Sequence, residues 1–267
     1  MLRVETFQTL AEAERAMTAG SSRFLGGGTL VMRQANYGDP SFERIVRSLD
    51  RAASQIRAEG GRIRIGSAVT MAGVLASRDL AFLHPVARQI GGPAIRNMAT
   101  IGGNLFAPHP FGDFAVALLA LDARVHWVDG REEPLETFLQ GRSHARGLVA
   151  AVSVPRPDND AFRYLKVSRV KPKGVSVMSL AAWLPRQGGR LGQCRLAFGA
   201  MGPTPLRARL AEAALNGATL DEAGIAGALR VAIDGLAPSD DALASAWYRR
   251  EVAPVHLKRL LLAEARA

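Results

Sequence analysis

The residues from Phe114 to Leu121 are apolar on every side of the helix that they would form. A helix on a protein surface keeps one polar face, so a segment of this kind has to be buried between layers of other elements. Asp113 directly precedes the segment, and a carboxylate at such a position is a favourable N-cap. The chain is therefore predicted to fold in layers around a buried helix that begins after Asp113.

Short strand and helix patterns alternate along the rest of the chain without a repeat period. This mixture favours an α+β fold and argues against a solenoid. A first helix is predicted at about 9–19, where Thr9 and Glu12 have capping-box spacing, and another is predicted from Thr70 to about residue 77. Strands are predicted at 62–69, 124–128 and 148–154.

The polar, proline-bearing stretch 155–160 is the best candidate for a domain boundary, because strand-like runs lie on both sides of it. The predicted domains are 1–157 and 158–267. The second is expected to contain a small three-stranded antiparallel sheet followed by helices. Its predicted strands are 162–167, 175–184 and 191–200, and its predicted helices are 205–215, 221–233 and 242–265, the last interrupted at Pro254.

Cys194 is the one cysteine of the 267 residues, so an intrachain disulfide and a Cys-x-x-Cys metal site are both excluded. Any metal cluster involved in the function must belong to another chain. Among the histidines, His109 between two prolines is the one candidate for lining a site. Because no apolar stretch is long enough to span a membrane and the N-terminus lacks an apolar signal core, we expect a soluble, cytoplasmic protein.

Two glycine-rich segments are the clearest candidates for binding a ligand. Gly26, Gly27 and Gly28 with Thr29 follow a predicted strand end at Phe24. Converging backbone N–H groups in such loops bind phosphate without a charged side chain. Thr100 to Asn104, which contains Gly102 and Gly103, repeats the pattern, and two loops of this kind suit a pyrophosphate held between them. A glycine turn without a ligand remains the alternative for either segment, and neither segment matches the Rossmann or P-loop fingerprint.

Several segments, taken in order, resemble one family more specifically than any single motif does. They are Gly26–Thr29, Ile95–Asn104, Asp113 with its apolar helix, Tyr164–Arg169, Phe198–Met201, Pro205–Ala208 and Ser245–Arg250. The resemblance is to the FAD-binding subunit of the molybdenum hydroxylases, a family that includes the medium subunits of carbon monoxide dehydrogenase and of bacterial xanthine dehydrogenase types. It covers nearly the whole chain.

The resemblance implies a two-lobed FAD-binding domain of the PCMH type followed by a small C-terminal α+β domain. It implies an oxidoreductase subunit that carries FAD and transfers electrons within a molybdenum-containing dehydrogenase. Its implied partners are a molybdopterin-binding large subunit and a 2Fe-2S small subunit, in a cytoplasmic hetero-oligomer such as a dimer of heterotrimers. No nucleic acid and no membrane span are implied.

Carried over onto this chain, the resemblance implies FAD contacts in several places. The first pyrophosphate loop would be Phe24, Leu25, Gly26, Gly27, Gly28, Thr29, Leu30 and Val31, and the second would be Thr100, Ile101, Gly102, Gly103 and Asn104. Ile90 aligns with a position by the flavin that is aromatic in some relatives, and Asp113 matches an FAD contact. Tyr164, Lys166 and Arg169 are candidates for the flavin-facing side of the second lobe. No catalytic residue and no metal ligand is assigned, because the cofactor carries the redox chemistry.

Two other functions stay open at this point. A self-contained FAD-dependent oxidoreductase of related fold would need its own substrate groups around the flavin, and the sequence shows no convincing set. A nucleic-acid-binding module would explain the net charge of +10, but the basic residues are dispersed and lack interleaved aromatics. The hydroxylated substrate and the final acceptor, whether NAD, a quinone or oxygen, cannot be read from the chain.

Overall fold

The structure, a computed structural model, describes residues 2–18, 20–158, 160–170 and 174–263. Contacts divide the chain into two compact units, Met1–Ala107 with Ala123–Pro155, and Pro108–Asp122 with Arg156–Ala267. The short segment 108–122 thus packs with the second unit although the chain before and after it belongs to the first. The domains 1–157 and 158–267 stay a prediction. Residue 19 of the first predicted helix, residue 159 of the predicted boundary and residues 264–265 of the last predicted helix lie outside the described residues.

The first unit begins with a small parallel sheet. Its strands are β1 (Arg3–Phe7), β2 (Ser22–Phe24) and β3 (Arg44–Ser48), in the order β1-β3-β2. Helix α1 (Leu10–Met17) packs on this sheet and starts at the predicted capping box, where the Thr9 N–H donates to the Glu12 carboxylate at 3.0 Å and the Glu12 N–H donates to Thr9 Oγ1 at 3.2 Å. Helix α2 (Val31–Asn36) follows the first glycine segment.

A five-stranded antiparallel sheet completes the first unit. Its strands are β4 (Ile56–Glu59), β5 (Arg62–Gly66), β6 (Arg124–Trp127), β7 (Glu132–Pro134) and β8 (Val149–Pro155), in the order β4-β5-β8-β6-β7. Side chains alternate along each strand. Ile63 and Ile65 on β5 and Val152 and Val154 on β8 are buried on one face, so the predicted strands 62–69, 124–128 and 148–154 are confirmed with shorter bounds.

Short helices connect these strands. They are α3 (Met71–Ala76), α4 (His84–Ala87), α5 (Pro93–Met98), α6 (Ile101–Phe106), α7 (Asp113–Ala120) and α8 (Leu135–Gly141), with 3-10 turns at Arg51–Ser54, Arg78–Leu83 and Arg142–His144. The predicted cap at Thr70 is confirmed, since its hydroxyl accepts a hydrogen bond from the Gly73 N–H at 3.0 Å. Helix α7 belongs to the second unit.

The second unit contains a four-stranded antiparallel sheet in the order β14-β13-β10-β9. The strands are β9 (Phe162–Val167), β10 (Met178–Trp183), β13 (Arg195–Gly199) and β14 (Leu206–Arg207), with a small hairpin of β11 (Arg186–Gln187) and β12 (Arg190–Leu191). The predicted three-stranded sheet was one strand short. Leu206 and Arg207, predicted to lie in the helix 205–215, form the edge strand β14 and pair with β13, and two residues are too few to show a strand period.

Three helices cover one face of this sheet: α9 (Arg209–Leu215), α10 (Glu222–Arg230) and α11 (Ala246–Leu262). The predicted interruption of α11 at Pro254 was wrong, because the helix continues through the proline. Proline removes one backbone hydrogen bond, but Ala253 and Leu257 on either side of it are fully buried in the core of the second unit. This packing keeps the helix continuous.

The buried helix predicted from the sequence is α7, and all of its residues from Asp113 to Ala120 are buried. It packs on the face of the four-stranded sheet opposite to α9–α11. Gly199 on β13 permits the close approach, since a Cβ there would lie 2.8 Å from Val116 Cγ2. The predicted N-cap was wrong, because Gly112 with φ 90° holds that position and Asp113 is the first helical residue. In the part of the chain that the structure describes, no helix is long and apolar enough to cross a membrane.

The loop before α11 is held by a buried guanidinium. Arg249 is 1% exposed and donates to the Asp241 carboxylate at 2.7 Å and to the carbonyls of Val177, Ser239 and Ala244. Burial by itself would raise the pKa of Asp241, but hydrogen bonds from Arg249 and from backbone N–H groups lower it far below its usual range.

Asp241→Asn is expected to lower the free energy of unfolding at pH 7 by about 1–3 kcal/mol, since Arg249 loses its carboxylate partner. The pKa of Asp241 is lower in the folded than in the unfolded protein, so its contribution is complete above about pH 5 and is lost as the pH falls below about 4. Urea unfolding at pH 7 and pH 3 should show the difference between wild type and variant shrinking at pH 3. A difference independent of pH would contradict this assignment.

Candidate functional site

The first glycine segment is a turn rich in free backbone donors. Leu25 N–H ends the strand pairing by donating to the Val46 carbonyl at 2.8 Å. Within the described residues, no group accepts a hydrogen bond from the N–H groups of residues 26 to 30. Each of these residues is half-buried or exposed. Successive N–H groups without internal partners can bind an anion.

The second glycine segment lies directly against the first. A Cβ on Gly26 would lie 2.9 Å from Thr100 Oγ1 and 3.9 Å from the Gly103 nitrogen. A Cβ on Gly27 would lie 1.7 Å from the Met98 carbonyl oxygen, which is closer than atoms can approach. The structure therefore brings together the two segments that the sequence predicted to cooperate. Glycine is required at 27 by this close approach.

The second segment is a helix start and not a loop as predicted. Thr100 is the N-cap of α6, and its hydroxyl accepts a hydrogen bond from the Gly103 N–H at 3.1 Å. The N–H groups of Ile101 and Gly102 donate to the Val69 and Ser67 carbonyls at 2.9 and 2.8 Å. The cap and these tertiary bonds outweigh the low helix propensity of glycine. The free donors thus come from residues 26 to 30, and α6 supports them.

The far end of α6 is fixed by Arg142, which the sequence did not suggest as part of the site. Arg142 donates to the carbonyls of Leu105 and Ala107 at 3.0 and 3.2 Å, where the helix ends. Partial burial lowers the pKa of this guanidinium, which stays charged at neutral pH. Phe106 also packs edge-to-face on Phe138 of α8, with ring centroids 5.2 Å apart. Spacing in the sequence gives no signal for these contacts.

Asp113 and Lys166 form a buried ion pair in the second unit. Lys166 Nζ lies 2.9 Å from Asp113 Oδ2, and the two side chains are 5% and 8% exposed. Ser176, which the sequence did not suggest, donates to Asp113 Oδ1 at 2.6 Å. Tyr164 is half-buried on the same strand as Lys166, and Arg169 is exposed beyond the end of that strand. The structure therefore brings Asp113 and Lys166 together and leaves Arg169 apart from this pair.

Ile90 lies in the first unit between α4 and Gly91, where it is half-buried. The backbone turns sharply at Gly91, which has φ +52° and lies against Ile95. The placement of Ile90 beside a flavin stays a prediction.

Comparison with known proteins identifies the family. Residues 1–157 match the family described as the FAD binding domain in molybdopterin dehydrogenase. The chain belongs to this flavoprotein family. Residues 163–263 match a second family, the CO dehydrogenase flavoprotein C-terminal domain. The resemblance drawn from the sequence is confirmed, and with it FAD as the cofactor of this flavoprotein.

The relatives of the flavoprotein are similar over most of its length. It is 29% identical over 269 residues to the putative xanthine dehydrogenase FAD-binding subunit of Escherichia coli (strain K12), covering 95% of this chain and 92% of that protein. It is 29% identical over 228 residues to the carbon monoxide dehydrogenase medium chain of Afipia carboxidovorans, covering 79% and 78%. The structure of reconstituted CO dehydrogenase from Oligotropha carboxidovorans contains a chain that matches with a TM-score of 0.89 at 26% identity, covering 99% of both chains.

These likenesses confirm the expected α+β fold and place the flavoprotein among oxidoreductase subunits. His109, the histidine that the sequence suggested for lining a site, forms an ion pair within the second unit, and Cys194 is a buried thiol. His109 Nε2 lies 2.6 Å from Asp241 Oδ2 and ties the loop before α7 to the loop before α11. Burial raises the pKa of the Cys194 thiol to about 12, and the charge of Glu212 adds to this effect, so the thiol is not a nucleophile at neutral pH.

Proposed function

We propose that the flavoprotein is the electron-transfer subunit of a molybdenum hydroxylase complex, which takes electrons from a 2Fe-2S subunit and passes them to an external acceptor. The observation that carries this proposal is the run of N–H groups at residues 26 to 30, which lack internal partners and begin at Gly26 beside Thr100. Such a turn fits the pyrophosphate of FAD, because glycine allows close approach and the N–H groups supply the hydrogen bonds.

In this proposal the N–H groups of Gly26 to Leu30 and the Thr29 hydroxyl hold the pyrophosphate, while Thr100 and Gly103 form the adjoining wall. Bound FAD supplies the redox chemistry, and the polypeptide binds and orients it. Ile90, Asp113, Tyr164, Lys166 and Arg169 stay proposed FAD contacts.

We propose the partner subunits because this chain lacks the cysteine ligands for a metal cluster. Iron–sulfur clusters are held by cysteine thiolates, and Cys194 alone cannot hold one. The described residues also contain no cluster of His, Cys, Asp or Glu that could hold a metal ion. The 2Fe-2S clusters and the molybdopterin would therefore lie on a small and a large partner subunit, in a cytoplasmic complex. The name "medium chain" given to the relative from Afipia carboxidovorans fits such an arrangement.

The first test is the visible absorption spectrum of the purified chain, before and after addition of FAD, with the released cofactor identified after denaturation. Oxidised-flavin bands and released FAD, together with co-purification of a molybdenum subunit and an iron–sulfur subunit from the native source, are expected. A folded chain that fails to bind added FAD would contradict the proposal, and a complex whose flavin is not reduced by the iron–sulfur subunit would contradict its electron-transfer part.

Gly103→Asp is expected to weaken FAD binding at least tenfold, because a carboxylate would stand beside the N–H groups that bind the pyrophosphate. Gly103 is exposed in the first turn of α6, where an acidic residue suits the helix, so the fold should be retained. Gly103→Asn is the matched neutral control and should lose much less affinity. Fluorescence titration with FAD measures both, and unchanged flavin content in the aspartate variant would refute this placement.

A further inference from the structure

One face of the five-stranded sheet carries a row of basic side chains. Strand pairing places Arg57 directly opposite Arg64, Arg64 opposite Ser153, and Ser153 opposite Arg124, so all four point to the same side of the sheet. Arg62 lies two residues before Arg64 on β5 and His126 lies two residues after Arg124 on β6, so both share that side, as does Glu59, which pairs with Arg62. We call these five basic residues, with Ser153 between them, the basic face.

Part of the basic face is satisfied internally. Ser153 Oγ accepts a hydrogen bond from Arg62 Nε at 3.1 Å and lies 2.9 Å from His126 Nε2. Arg124 forms an ion pair with Glu132, whose other carboxylate oxygen lies 3.4 Å from His126 Nδ1. The side chains around Ser153 therefore form one polar network, in which Glu132 supplies the carboxylate.

Arg57 and Arg64 have no such partner. Among the described residues no carboxylate pairs with either guanidinium, and Arg57 donates only to the Gln55 side chain. Arg64 is half-buried and Arg57 is exposed. Like charges directly opposite each other in a sheet are destabilising, so this pair costs the isolated chain stability.

The local field is positive at the centre of the face. Burial lowers the pKa of His126, and the charge of Arg64 lowers it further, so the imidazole is mainly neutral at pH 7. The charge of Glu132 raises the pKa of His126, but the net shift remains downward. An anionic group placed above Arg57 and Arg64 would remove their repulsion.

We propose that the basic face docks an acidic segment of another protein, whose carboxylates bind the guanidinium groups of Arg57 and Arg64. Arginine binds carboxylates through two parallel hydrogen bonds, and neighbouring strands about 5 Å apart place the two guanidinium groups within reach of two carboxylates of one acidic segment. A protein fits this face better than a nucleic acid does, because the basic face contains no Phe, Tyr or Trp side chain on which bases could stack.

The test uses a fluorescent hexaglutamate peptide titrated into the full chain, with hexaglutamine as the uncharged probe. We expect salt-sensitive binding of hexaglutamate only, and a loss of about tenfold in the double variant Arg57→Gln with Arg64→Gln. The control of equal charge, Arg78→Gln with Arg230→Gln, changes exposed arginines elsewhere and should keep the affinity within about twofold. Equal losses in both doubles, or tighter binding of a single-stranded oligonucleotide of equal charge, would overturn the proposal.

A second variant separates docking from folding. Arg57→Glu replaces a like-charged pair with an ion pair, so it should raise the melting temperature by about 1–3 °C while it abolishes hexaglutamate binding. Loss of binding in a more stable protein cannot result from misfolding. A lower melting temperature, or retained binding, would show that Arg57 and Arg64 do not face each other over an anion site.

Discussion

Asp113→Asn is expected to lower the free energy of unfolding of the flavin-free chain by about 3–5 kcal/mol, because it leaves the Lys166 ammonium buried without its carboxylate. The same substitution weakens the interaction with Ser176, which donates to the charged carboxylate at 2.6 Å. The affected contacts fix the first turn of α7 to β9 in the second unit. Urea unfolding followed by circular dichroism measures the change, with FAD removed so that cofactor binding does not contribute.

The matched control is the double variant Asp113→Asn with Lys166→Met, which removes both charges. Its loss of stability should be smaller than the sum of the two single losses, because no buried charge is left unpaired. The other end of α7 offers a comparison, since Arg195 and Asp122 form an ion pair at 2.9 Å that is 24% and 46% exposed. Asp122→Asn should cost less than about 1 kcal/mol. Equal effects at the two ends would contradict the role of burial.

Gly27→Ala is expected to weaken FAD binding more than tenfold and to lower the free energy of unfolding by about 1–3 kcal/mol. The new Cβ would lie 1.7 Å from the Met98 carbonyl oxygen, so the glycine segment or α5 has to move. Either movement displaces the N–H groups of residues 26 to 30 from their present arrangement. Titration with FAD and urea unfolding measure the two effects separately.

Gly141→Ala is the matched control, because a Cβ there would meet no atom within 4 Å. It lies at the end of α8, and alanine favours a helix over glycine, so stability should be unchanged or slightly higher. A Gly27→Ala variant that binds FAD like the Gly141→Ala variant would show that the first glycine segment does not contact the cofactor.

The sequence predicted several elements because their signals are local. The capping box at Thr9 and the cap at Thr70 involve residues three apart, and β9 has the predicted bounds 162–167. The burial of α7 followed from its uniform apolarity. Local signals failed where contacts between distant residues outweigh the helix propensity of the segment. In α6, hydrogen bonds to the carbonyls of Ser67 and Val69 hold a glycine-rich segment in a helix.

The sequence by itself determined the family, the cofactor and the positions of the two glycine segments, since these depend on residue types in a fixed order. The tertiary structure decided which N–H groups remain free, because that depends on what each segment contacts: residues 26 to 30 keep theirs, whereas Gly102 and Gly103 use theirs internally. It also decided that α7 packs with the second unit and that Arg57 faces Arg64. Pairing between residues distant in sequence is set by packing of the whole chain, and no short pattern encodes it.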